Sequence, residues 1–128
     1  MALASGTSVF LAKGVIKHSW TLTTSATSGR PATLSRFPDK VVQFSGTFTN
    51  ATVVLCGSNQ SATVATASLT TGALADSRGE ANPISVTAAG IVQVLENTNL
   101  IYPKIVSTGA TGALKNIGVT IVAQSTKR

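Results

Sequence analysis

Apolar positions recur at every second residue along Asp39–Gln60, DKVVQFSGTFTNATVVLCGSNQ. Val42, Phe44 and Phe48 share one parity, and Val53 and Leu55 follow after a break. A period of two places one set of side chains on one face of a pleated strand. Asn50 tolerates a left-handed backbone and suits a tight turn. The pattern predicts two antiparallel strands joined as a hairpin, with Phe44, Phe48, Val53 and Leu55 turned to the core. Gly46, inside the first strand, marks a bulge or a close backbone approach.

The same period runs through the rest of the chain. In Val15–Thr23, Ile16, His18, Trp20 and Leu22 alternate; in Asn116–Gln124, Ile117, Val119 and Ile121 do. Ser61–Thr71, Ile84–Ala88, Ile91–Glu96 and Asn99–Val106 complete the strand candidates. Thr24–Asp39, with Pro31 and Pro38, reads as a loop, as do Gly72–Pro83 and the glycine-rich STGATGALKN. No window carries a helical period. About seven or eight short strands with turn signals between them predict an all-β sandwich or barrel. Residues 1–14 alternate poorly and are expected to form an N-terminal arm or an edge strand, ahead of a single β-domain over 15–128.

Composition supports that class. The chain has 128 residues, 43% of them apolar and 11% charged. That length buries a core without cross-links, and the excess of Thr and Val suits pleated surfaces. Asn50-Ala51-Thr52 and Asn59-Gln60-Ser61 match the glycosylation pattern but read as turn residues. The start of the chain lacks a basic region followed by a continuous apolar run, so synthesis in the cytosol is the default. No apolar stretch is long enough to span a bilayer. The net charge of +6 and the isoelectric point near 10.1 favour an acidic partner. Lys13, Lys17, Arg30, Arg36 and Lys40 concentrate that charge in the N-terminal third.

Reactive chemistry finds little material. The carboxylates are Asp39, Asp76, Glu80 and Glu96, and Asp76 and Glu80 read as solvated loop residues around Arg78. His18, the one histidine, alternates with Ile16 and Trp20 as a half-buried strand residue does, and a triad would need it beside an acid and a serine. Cys56, the one cysteine, excludes an intramolecular disulfide and reads as a small buried hydrophobe. One His and one Cys are too few for zinc. No Walker ending follows the glycine-rich segments. Binding to single-stranded nucleic acid requires cations interleaved with stacking aromatics, and that pattern is missing here. An enzyme, a cofactor, a metal, a membrane partner and direct binding to nucleic acid are therefore not expected.

Two phrases carry a more specific likeness, FPDKVVQFSGTFTNATVVLCGSN and VTAAGIVQVLENTNLIYPKIVSTGATG. They resemble a family of small structural proteins of tailed bacteriophages that decorate or cement the head. In that family a VQV-GTF--ATV---GSN segment is followed by FTAAGI-QVLENPRYIRP. The matching residues here are Val42, Gln43, Gly46, Thr47, Phe48, Ala51, Thr52, Val53 and Gly57-Ser58-Asn59. Downstream they are Thr87-Ala88-Ala89-Gly90-Ile91, Gln93-Val94-Leu95-Glu96-Asn97 and Tyr102-Pro103. The likeness spans Phe37 to Gln124; after GSN the family has an Asp-Gly turn and a tryptophan, where this chain has QSATVATAS. The resemblance implies a jelly-roll-like antiparallel β-sandwich on the outer capsid surface of a virion. It implies contacts to the major capsid protein, self-assembly as a homodimer or homotrimer, and action by contact alone. Lys13, Lys17, Arg30, Arg36 and Lys40 are the capsid-contact candidates, on charge. A carbohydrate-binding or adhesion β-sandwich on a virion surface is the alternative, and it would call for exposed aromatics, with Trp20 and Tyr102 the large candidates.

Overall fold

Nine residues of strict alternation at the C-terminal end, Asn116–Gln124, form the central strand of one sheet. Ile117, Val119, Ile121 and Ala123 are fully buried on its inner face. The computed structural model describes residues 3–23, 26–48, 51–60, 72–73, 84–94, 97–107 and 116–125. Among them the strands are β1 (Leu3–Ala4), β2 (Thr7–Ala12), β3 (Val15–Thr23), β4 (Ser28–Gly29), β5 (Ala32–Thr33) and β6 (Asp39–Thr47). They continue with β7 (Thr52–Ser58), β8 (Gly72–Ala73), β9 (Ser85–Val86), β10 (Gly90–Val94), β11 (Leu100–Ser107) and β12 (Asn116–Gln124). The strand expected at Ser61–Thr71 lies outside the described residues.

The strands form two sheets. One has the order β10-β6-β12-β3-β2; the other runs β1-β4-β11-β7-β8, with β5 also on β11 and β9 also on β7. All pairings are antiparallel except β1 with β4. Val42, Phe44, Trp20 and Leu22 from the first sheet and Val53, Leu55, Ile101 and Ile105 from the second belong to one buried cluster, which makes the fold a sandwich. The chain changes sheets repeatedly. β6 lies in one, β7–β9 in the other, then β10, β11 and β12 alternate.

That alternation corrects the expected hairpin. β6 and β7 are strands where the pattern placed them, but they do not pair. β6 lies between β10 and β12, and β7 between β11 and β8. The corner is closed by Ala51 N–H donating to the Phe48 carbonyl at 2.9 Å. A hairpin would have left the apolar faces of both strands on the same side of one sheet. Crossing between sheets sets Val42 and Phe44 in the same seam as Val53 and Leu55, and all four are at most 1% exposed. Which strands pair is decided by the packing of the two sheets face to face and not by the local turn.

The N-terminal segment is paired, not an extended arm. β1 joins the second sheet beside β4, β2 joins the first beside β3, and Ala4 is in the core. A tight hairpin lies here, β2 to β3 through Lys13 and Gly14, with Gly14 at φ 76°. Trp20 is 1% exposed, and its indole N–H donates to the Arg30 carbonyl at 2.8 Å.

Gly46 adopts φ 101°, and a Cβ there would lie 2.1 Å from the Asn116 carbonyl oxygen on the neighbouring strand β12. Both the left-handed backbone and the close approach demand glycine. Gly46→Ala should cost about 1–3 kcal/mol or more, read as a lowered urea midpoint with unchanged slope. Gly90→Ala meets nothing within 4 Å and should stay within about 0.5 kcal/mol of wild type. Trp20→Ala should cost about 3–5 kcal/mol.

Candidate partner-docking rim

Among the described residues β2 is a free edge of the five-stranded sheet, and all six of its residues are exposed. Val9 is 48%, Phe10 65% and Leu11 53% exposed, an unbroken apolar triplet. Two features of the local sequence produce this. The register pairs Val9 with Lys17 and Phe10 with Ile16, so Val9 stands on the outer face of the sheet and Phe10 on the inner one. The register then shifts between Phe10 and Ala12, at Leu11. The edge strand of the facing sheet, β1, has only two residues, so among the described residues little covers Phe10. Its ring meets Phe37 at the sandwich rim, centroids 6.5 Å apart and tilted by 56°.

The cations gather at this rim. Arg36 sets its guanidinium over Phe37, 5.7 Å from the ring centroid. Lys17 sits across from Val9, and Lys13 lies in the turn that ends β2. Three of the five charge-based candidates, Lys13, Lys17 and Arg36, therefore come together around β2. Arg30 is exposed but belongs to the other sheet, where its backbone N–H donates to the Ala4 carbonyl. Among the described residues none of these four makes an ion pair, because the one described carboxylate, Asp39, is buried and lies beside β10, accepting from Gln93 Nε2 at 3.3 Å. Asp76, Glu80 and Glu96 lie outside the described residues.

Lys40 leaves the surface set. It shares the parity of Val42 and Phe44, so its side chain points into the sandwich and is 0% exposed. Its ammonium donates to Asn97 Oδ1. Burial disfavours the charged form and pulls its pKa down to about 8.

His18 is half-buried, as its alternation implied. Nδ1 shares a hydrogen bond with Ser8 Oγ on β2, and the ring stands edge-on to Trp20 at 4.5 Å. Nε2 is buried with no hydrogen-bond partner among the described residues. It is shut in by Gly6, where a Cβ would fall 2.1 Å from Nε2. Protonation would leave an N–H donor orphaned there, and burial lowers the pKa accordingly. Cys56 is buried and pairs with Tyr102 on the outward face of its sheet. Desolvation raises its thiol pKa, and the charge of Lys104 opposes this more weakly. A thiol so placed is a poor nucleophile. Among the described residues no three His, Cys, Asp or Glu side chains assemble as metal ligands. The arrangement offers contact surface and positive charge.

The apolar members of the rim, Val9, Phe10, Leu11 and Phe37, were not among the sequence candidates. Their signal was the consecutive triplet itself, which neither a half-buried strand nor a solvated arm explains. No family model, no curated protein and no solved structure matches this chain.

Both buried bases make stability rise with pH, each in its own window. Where the folded pKa is the lower one, the unfolded chain holds the proton between the two values, and raising the pH through that interval stabilises the fold. For Lys40 the interval runs from about 8 to 10.5. For His18 it lies below 6.5, so its contribution is complete above 6.5 and is lost as the pH falls toward the lowered folded value. Urea midpoints should climb across the Lys40 interval in the wild type and stay flatter in Lys40→Met. The fall below 6.5 should shrink in His18→Gln.

Proposed function

We propose that this protein is a virion structural protein that decorates or cements the outside of a tailed-phage icosahedral capsid. It bridges neighbouring major capsid subunits by non-covalent contacts and stabilises the shell against internal pressure. The observation that carries the reading is the β2 rim, where an exposed apolar triplet is ringed by Lys13, Lys17 and Arg36. An apolar patch rimmed by charge marks an interaction surface, and its sign suits an acidic outer shell. Many copies on one shell multiply modest contacts through avidity. The likeness of Phe37–Gln124 to phage decoration proteins supplies the partner. A homodimer or homotrimer on a local symmetry axis belongs to the same proposal, as does jelly-roll-like wiring. The repeated switching of the chain between sheets supports that wiring.

The adhesion alternative has less to stand on. Sugar platforms use exposed aromatic rings, whereas the two candidates are covered, Trp20 at 1% and Tyr102 at 5% exposure. The one exposed ring, Phe10, stands between apolar Val9 and Leu11, with no polar side chain beside it in sequence to bind sugar hydroxyls.

Added to expanded heads that lack it, the protein should co-sediment at a fixed stoichiometry and raise the temperature at which the shell ruptures. The double variant Lys13→Glu, Arg36→Glu should bind about tenfold more weakly, equivalent to about 1.4 kcal/mol, and the wild-type affinity should fall with added salt. Heads that take up none of the wild-type protein would end this reading.

A further inference from the structure

We infer that the free edge of β2 accepts an extended, acidic segment of the partner protein as an added antiparallel or parallel strand. The inference rests on the reading of the chain as a protein that acts by contact, and it names the chemistry of what β2 contacts.

An edge strand presents a row of unpaired backbone donors and acceptors, and soluble proteins guard such edges with inward charges, proline, bulges or shortness. β2 is poorly guarded. Its six residues, TSVFLA, contain no charge and no proline, and they span roughly 20 Å. The register shift at Leu11 falls near its end, leaving Thr7–Phe10 in regular pairing with β3. The other free edge of this sheet, β10, is shorter and carries one large exposed hydrophobe, Ile91. Asp39 lies next to it, with its acceptor engaged by Gln93.

Charge chooses the guest. A strand added beside β2 would send alternate side chains to opposite faces. On the outer face they would meet Val9 and, one strand further in, Lys17. On the other they would meet Phe10, Phe37 and Arg36. Lys13 would stand at the end of the new pair. Lys17 stands two strand spacings from the guest, about 10 Å, roughly one Debye length at 0.1 M salt. A guest alternating apolar residues with Asp or Glu satisfies both faces, and main-chain bonding supplies affinity with side-chain pockets setting specificity. A second copy of this chain would bring its own three cations to the same rim, and among the described residues its one carboxylate, Asp39, lies at the opposite edge of the sheet.

The test uses a short synthetic peptide alternating Glu and Val, acetylated and amidated, against a matched peptide alternating Lys and Val. The full-length protein should bind the acidic peptide about tenfold tighter than the basic one. Amide exchange should slow at Thr7–Ala12. Phe10→Ser should weaken binding about tenfold, while Ile91→Ser on β10 leaves it unchanged; both sites are exposed, so both variants should melt with the wild type. Absence of binding, equal binding of the two peptides, or protection at β10 in place of β2 would overturn the inference. So would a dimer formed without peptide and dissolved by Phe10→Ser, which would assign the edge to a second copy. Phage heads separate the two readings. If heads bind wild type and Phe10→Ser alike, the β2 inference fails and decoration stands. If the acidic peptide protects β2 but heads bind nothing, decoration fails and the edge site stands.

Discussion

Burial of the inner face of β12 is the constraint on which the five-stranded sheet depends. β12 pairs along its whole length with β3 on one side and β6 on the other, from Asn116 to Gln124. Its inner residues are packed with those of the opposite sheet. β3 begins more than a hundred residues before β12 in the chain, and Val15 pairs with Gln124. The sheet is therefore incomplete until almost the whole chain is present. Such long-range pairing is slow to form and strongly cooperative once formed.

The rim around β2 follows from the same architecture. Because β1 is too short to face β2 along its length, the sandwich is thin at that corner, and Phe10 overhangs onto Phe37. The cations gather there for local reasons. Lys13 and Lys17 belong to the β2–β3 hairpin, and Arg36 is fixed by the ring it covers. His18 ties this edge to the core, since its ring bridges Ser8 on β2 and Trp20. The rim is thus anchored through the pairing of β2 with β3 and through His18 to the core.

Buried polar groups show how the interior tolerates exceptions. Lys40 lies fully buried on the inner face of β6, and its ammonium reaches Asn97. Among the described residues one hydrogen bond meets this cation, and burial pulls its pKa down to about 8. Methionine at this position would keep the packing and remove the charge.

Strand positions were legible in the sequence because side-chain parity along one strand is a local property. Val15–Thr23 and Asn116–Gln124 emerge with the bounds their alternation implied, and Phe44, Phe48, Val53 and Leu55 are buried as that parity required. Gly46 was readable too, since a glycine within a strand asks for a backbone reason. Even the burial of Lys40 was latent in its parity with Val42 and Phe44, though charge counting obscured it. Which strand lies beside which was not legible. A hairpin and a crossing between sheets bury the same residues of β6 and β7, so parity cannot separate them. Only the packing of the two sheets decides, because it alone shows which apolar faces meet. The same holds for the rim: Lys13, Lys17 and Arg36 are near one another only because β2 closes on β3 and Phe10 reaches Phe37.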